Sequence, residues 1–195
     1  IWASGDISIG TVSVSGGDGA ADNFQALGFL TTTAGGVVSL GGVDYSGYGV
    51  AATLDVSGYA GNTTIVGSAF GDTITDNKGV NAITGGAGAD TFTFLDTNTG
   101  KTLGAMDSLQ DFNNAGGDKI DLSVTVDTGN YGEASYADFA SFVAGANAAD
   151  KAVWVGLVGS TGYAAVDYNT DGAVDYMIEL VGLTSTGNID VASFV

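Results

Sequence analysis

The large apolar residues of this chain recur at two periods. In "DISIGTVSVSG" (6–16), Ile7 and Ile9 and then Val12 and Val14 alternate with Ser, Thr and Gly, the pattern of half-buried strands. From Gly58 a longer period takes over. "GYAGNTTIV" (58–66), "GSAFGDTIT" (67–75), "DNKGVNAIT" (76–84) and "GGAGADTFT" (85–93) tile the chain in nines without a gap. The eighth place is always large and apolar: Ile65, Ile74, Ile83 and Phe92. The sixth holds Thr63, Asp72, Asn81 and Asp90. Such a block reads as a turn followed by a short strand whose single large side chain points inward while its neighbours point outward. One such strand cannot bury its apolar residue alone, so successive strands must stack into a solenoid.

The flanks follow simpler patterns. "ADNFQALGFL" (21–30) predicts a short helix with Phe24 and Leu27 inward, and "VVSLGGVDYSGYGVAATLDVSG" (37–58) returns to strands. "SYADFASFVAGANAA" (135–149) predicts a helix, with Ser135 and Asp138 as an approximate capping box and Phe139, Phe142 and Val143 as its inner face. "KAVWVGLVG", "TGYAAVDYN" and "GAVDYMIELVG" (151–182) read as antiparallel strands. The expected fold is all-β: a short parallel β-roll or solenoid flanked by further strands, with a C-terminal antiparallel region and one or two short helices. The expected divisions are a β-rich region at 1–57 that extends the solenoid, the repeats at 58–93, and a C-terminal β domain at 94–195.

Charge changes the picture. The 195 residues carry 22 acids against four lysines and no arginine, a net charge of −18. That surface repels nucleic acid and anionic lipid, and its natural partner is a cation. All but Glu133 and Glu179 of the acids are aspartates, and they accompany 33 glycines. Asp favours turns and can place its oxygens beside loop carbonyls, while glycine lets loops approach closely. The competing reading is an acidic β protein with many solvated Asp-Gly turns.

What is missing narrows the chemistry. Without cysteine there is no disulfide and no thiolate metal site. Without histidine there is no His-bound zinc, no Ser-His-Asp triad and no imidazole base, and nothing marks a catalytic pair among the aspartates. The chain is therefore not expected to be an enzyme. No apolar run approaches the ~20 residues of a membrane-spanning helix. The first residues, "IWASGDISIG", lack a basic-then-apolar leader, so no N-terminal secretion signal is expected.

The block "GGAGADTFT" matches the repeat-in-toxin nonapeptide G-G-x-G-x-D-x-U-x. In the proteins it resembles, two nonapeptides make one turn of a parallel β-roll, so residues 18 apart share an edge. The resemblance implies that Asp72 and Asp90 hold one calcium ion, with backbone oxygens from Ala69, Gly71, Gly85 and Ala87. Blocks 58–66 and 76–84 lack the sixth-place Asp, so the opposite edge is expected to be stitched by neutral side chains. Beyond the repeats, "DSLQDFNNAGGDKIDLS" (107–123) closely resembles the segment after the β-roll in serralysin-type secreted proteins; Asp107 and Asp118 join the candidate ligands there.

A further candidate is "DYNTDGAVD" (167–175). Asp167, Asn169 and Asp171 alternate, Gly172 makes the turn, and Asp175 follows, an opening suited to calcium. Position 12 of an EF-hand would be Ile178, so a hairpin loop is the expected setting, and a solvated Asp-Gly turn is the alternative. The resemblance implies calcium-gated type I secretion, with "NIDVASFV" (188–195) similar to the uncleaved C-terminal signals of that route. Two functions follow: a secreted calcium-binding structural protein that self-assembles as a surface layer, adhesin or filament, or the calcium-binding secretion module of a secreted hydrolase such as a serralysin-type metalloprotease. Expected partners are calcium, the type I secretion machinery, further copies of the chain and cell-surface polysaccharide.

Overall fold

The structure, a computed structural model, describes residues 2–3, 7–16, 23–25, 31–32, 38–57, 59, 61–95 and 100–195. In chain order its strands begin with β1 (Trp2–Ala3), β2 (Ile7–Gly16), β3 (Asn23–Gln25), β4 (Thr31–Thr32) and β5 (Val38–Tyr48). Then comes β6 (Thr53–Asp55), and the repeats supply β7 (Thr64–Val66), β8 (Thr73–Thr75), β9 (Ala82–Thr84) and β10 (Thr91–Phe94). Next come β11 (Asp107–Leu109), β12 (Lys119–Leu122), β13 (Tyr131–Tyr136), helix α1 (Phe139–Ala149), β14 (Val153–Val158), β15 (Thr161–Val166) and β16 (Tyr176–Val181).

Successive strands alternate between two parallel sheets. One sheet runs β12-β10-β8-β6-β3 and the other β13-β14-β15-β16-β11-β9-β7-β5-β2, while β1 pairs with β4. The register stacks one large residue per rung. Phe24, Leu54, Ile74, Phe92 and Ile120 are aligned through one sheet, and Val12, Val43, Ile65, Ile83, Leu109 and Leu180 through the other. From Val43 onward these residues are buried and belong to one core. The flanking threonines 64 and 73 are exposed, so each short strand has an inner and an outer side as its pattern required. The fold is an all-β parallel roll.

The C-terminal strands β14, β15 and β16 are antiparallel. They do not stand apart: β16 pairs parallel with β11 and carries the roll's second sheet onward, and β13 pairs parallel with β14. Both faces of this meander are covered. Val153, Val155, Ala164, Val166, Ile178 and Leu180 face the roll. Tyr163, Ala165 and Met177 pack beneath α1 with Phe142 and Ala146. Residues 183–195 fold back over β12, the last strand of the five-stranded sheet. Phe194 bridges to Ile120, the Val195 N–H donates to the Ile120 carbonyl at 3.1 Å, and Lys119 Nζ donates to the Ala192 carbonyl at 2.7 Å.

Two sequence expectations are corrected. Within 21–30, residues Asn23–Gln25 form a strand paired with β6, not part of a helix, and Phe24 aligns with Leu54. The local pattern was too short to separate the two, and pairing with the next rung decides it. Leu27 lies outside the described residues. Helix α1 starts later than expected: Ser135 belongs to β13, and Asp138 alone caps the helix by accepting from the Ser141 N–H at 2.7 Å.

Candidate metal centre

The turns that lead from the nine-stranded sheet into the five-stranded sheet form one edge of the roll. Three of them end in an aspartate just before a strand: Asp72 before β8, Asp90 before β10 and Asp118 before β12. They stack through a repeated bond in which a carboxylate accepts from the backbone N–H one rung back. Asp118 Oδ1 accepts from Asp90 N at 3.0 Å, Asp90 Oδ1 from Asp72 N at 2.7 Å, and Asp72 Oδ1 from Ala52 N at 2.6 Å. Rungs of a sheet lie about 4.8 Å apart, so this column brings like charges close together.

The second carboxylate oxygens separate the three. Asp72 Oδ2 accepts from Ser68 N at 2.5 Å, while the Ser68 hydroxyl donates to Oδ1 at 2.9 Å. Asp118 Oδ2 accepts from Asn113 N at 2.8 Å. One repeat pair after Ser68 stands Gly86. Its N–H and that of Gly85 turn instead to the Asp111 carboxylate, each at 2.9 Å. Asp90 Oδ2 is therefore buried with no donor, on a residue only 1% exposed. Glycine makes this possible at two positions. A Cβ at Gly85 would lie 2.3 Å from Asp90 Oδ2, and Gly86 has φ +103°, a backbone closed to most side chains.

The electrostatics follow from this arrangement. Burial, reinforced by the charges of Asp118, Asp72 and Asp111, pushes the Asp90 carboxyl up to about 6, against the lowering bond from Asp72 N–H. Asp118 is also raised, chiefly by burial. An unpaired buried carboxylate oxygen beside three further acids needs a positive partner. The donors are all oxygen, which suits a hard divalent cation. Among the described residues no three carboxylate side chains converge on one point, so backbone carbonyls must complete such a site.

The other predicted residues fall as follows. Gly85 is buried, whereas Ala69, Gly71 and Ala87 are exposed on the turns. Asp107 is buried on the opposite edge. There Asn81 Oδ1 accepts from Thr63 N at 3.0 Å and Asp107 Oδ1 from Asn81 N at 2.6 Å, the same stitching bond. This edge is not neutral as expected, because Asp76 and Asp107 are both buried in it. Asp76 is pushed up to about 9 by burial and by the Asp107 charge.

In the loop between β15 and β16, the oxygens accept from the loop's own backbone. Asp167 takes the N–H of Asp171 at 3.2 Å and of Gly172 at 2.8 Å, and Asn169 also takes that of Asp171 at 2.9 Å. Asp171 takes the N–H of Ala173 at 3.0 Å and Asp175 that of Tyr168 at 3.1 Å. Gly172, at φ +84°, makes the turn, and Ile178 is buried in β16.

Sequence reasoning missed Asp111 and Asp76. Asp111 lies beyond the nine-residue frame, and only the rung it adds to the edge reveals its role. Asp76 occupies the first place of its block, where the consensus has glycine, and that departure was the available signal. Against known proteins, the family model described as peptidase M10 serralysin C-terminal matches residues 18–192. No curated protein matches the chain.

Proposed function

We propose a function from the premise that this chain belongs to the peptidase M10 serralysin C-terminal family: it folds on calcium outside the cell and there serves as a structural, self-assembling subunit. The family's repeats bind calcium, and its members are secreted by the type I route. The domain is the non-catalytic part of serralysin-like proteins.

The observation that carries the calcium reading is the buried, donorless Asp90 Oδ2 within the column of Asp72, Asp90 and Asp118. Asp90, with Asp72 on the adjacent rung, would hold the ion, and backbone carbonyls of the turns would complete the site. Bound calcium supplies the positive charge that these turns lack. Each residue's own part is already in place: one carboxylate oxygen stitches the rung before it, and glycines 85 and 86 clear the space. Where calcium is scarce, repulsion along the column opposes folding; where it is abundant, binding free energy adds to folding free energy.

The assembly reading rests on β2. Among the described residues it ends the nine-stranded sheet and pairs on one side only, with β5. Its sequence, "ISIGTVSVSG", has no charge and no proline to discourage a further strand. The net charge of −18 opposes association, and calcium offsets part of it. The second reading, the calcium and secretion module of a secreted hydrolase, is favoured by the description of the matching family. Electron microscopy and light scattering of the chain in calcium, then in chelator, distinguish the two. Ordered sheets or filaments that dissolve in chelator are expected. Monodisperse monomers in both conditions overturn the structural role and leave the module reading standing.

A further inference from the structure

Strands β11 and β16 lie parallel and side by side, with Asp107 opposite Ile178 and Leu109 opposite Leu180. The chain therefore leaves both at the same end. There the turn after β11 and the turn after β16 enclose a cavity of about 340 Å³, within the size range of small-ligand sites. Phe112, Asn113 and Asn114 line it from the first turn, and Leu183, Gly187 and Asn188 from the second.

Both walls are held by local bonds. Asn113 Oδ1 accepts from the Gly116 N–H at 3.1 Å, and the Ser185 hydroxyl from the Gly187 N–H at 3.2 Å. Leu183 is buried in the core of the roll, and the half-buried Phe112 packs on that core with its ring centroid 6.5 Å from that of Phe92. Two acids neighbour these turns in sequence, and both have partners elsewhere. Asp111 takes the N–H groups of Gly85 and Gly86, and Asp190 the hydroxyl of Ser193. Among the described residues that line the cavity, none carries a charge. The side-chain amides of Asn114 and Asn188 have no hydrogen-bond partner among the described residues.

This lining selects among ligands. An anion would meet the field of a chain of net charge −18. A cation would find no carboxylate in the wall. A wholly apolar molecule would cover the amides and leave them unpaired. What fits is an uncharged ring with an apolar face and hydroxyls at its edge. Its C–H face can pack on Phe112, and each amide offers one acceptor and two donors to neighbouring hydroxyls.

We propose that this cavity binds an uncharged sugar residue of a polysaccharide, between the turn after β11 and the turn after β16. The site goes beyond the calcium and assembly reading and does not depend on it. It gives the expected cell-surface polysaccharide a place on the chain. One wall belongs to the segment that folds back over β12, so bound sugar also holds that segment down.

The test is an NMR titration of the whole chain with methyl glucoside, methyl mannoside, methyl galactoside and N-acetylglucosamine, with glucuronate as the charged control. At least one neutral sugar is expected to shift the side-chain amide signals of Asn114 and Asn188, and glucuronate is expected to shift neither. Amide exchange at Ile189 and Phe194 should slow when that sugar is bound. Asn188→Ala, on an exposed turn, should weaken binding about tenfold through the loss of one amide. Gly187→Leu should abolish it by adding bulk to the wall, at a position where a Cβ has ordinary space, 3.5 Å from Ser185 Oγ. Far-UV circular dichroism checks both folds. If no neutral sugar shifts those amides, or both folded variants bind as the unaltered chain does, the proposal fails. Equal shifts from glucuronate also overturn it.

Discussion

At Asp90 and at Asn81 the chain meets the same need with different side chains. Each ends a turn, precedes a strand and accepts from the backbone N–H one rung back, at 2.7 Å from Asp72 N and 3.0 Å from Thr63 N. Only the remaining polar atom differs. The amide of Asn81 donates it inward and closes its own turn. The carboxylate of Asp90 leaves an oxygen with no donor. Stitching therefore does not distinguish a residue that calls for an ion from one that satisfies itself. An acid and an amide stitch equally well, and the acid alone adds a demand for positive charge.

Removing the ion should separate the two most strongly. A site saturated to a thousand times its Kd adds about 4 kcal/mol to stability. We therefore predict a large fall in Tm in chelator, with hydrogen exchange accelerated at Asp72, Asp90 and Thr91 before it is at Asn81 and Ala82. Equal Tm with and without calcium would remove the basis of the comparison.

Substitution sharpens it. Asn81→Ala deletes the acceptor for Thr63 N and the donor to Asp76, and should cost about 1–3 kcal/mol. Asp90→Asn keeps the stitch and should cost stability only in calcium. In chelator it should match or exceed the unaltered chain, because a buried charge has gone. Melts of both variants in both conditions give the four values needed. Equal calcium dependence of the two variants would show that the distinction is wrong.

The pH response is smaller and has a definite sign. In the metal-free chain the Asp90 carboxyl titrates near 6, against 3.8 for the ordinary group. Between these values the folded chain holds a proton that the unfolded chain has released. The stabilisation is complete below 3.8 and is lost as pH rises through about 6, and Asp76 extends the same trend towards 9. In chelator, Tm should be higher at about pH 5 than at about pH 7.5. In calcium the order should reverse, because protons compete for the ligands. The smallest effect is expected from Ser68→Ala, which removes one hydroxyl bond to Asp72 and should cost about 1 kcal/mol. Denaturant melts resolve it.

The regular part of this design was legible in the sequence because each block repeats one physical demand. Ile65, Ile74, Ile83 and Phe92 are all buried and aligned as their spacing required. Asp72 and Asp90 fall on adjacent rungs for the same reason. The reading failed where the period broke. Phe24 stands in register with Leu54, but a 30-residue separation hides it from any nine-residue frame. Asp111 was invisible because its significance lies in which donors it takes, and that depends on the neighbouring rung, while Asp76 was marked only by standing at the glycine place of its block. The calcium character of the donorless oxygen likewise needed Gly86 compared with Ser68, two residues whose equivalence appears only once the turns are stacked.

Strand β16 belongs both to the antiparallel meander and, through β11, to the roll. That double membership bears on the order of folding. β14 and β15 are joined by a two-residue turn at Gly159 and Ser160, whereas neighbouring rungs of the roll lie at least 18 residues apart and β11 must find β16 across some 70 residues, as in the pairing of Leu109 with Leu180. The entropy cost of closing a loop grows with its length, so the hairpin forms first. Its completed edge then offers a ready row of partners to β11, and each later rung docks on one already formed. Folding is thus expected to travel from the meander towards β2, against the direction of synthesis. Pulse-labelled hydrogen exchange should find the amides of β15 protected before those of β9, and those of β9 before those of β5.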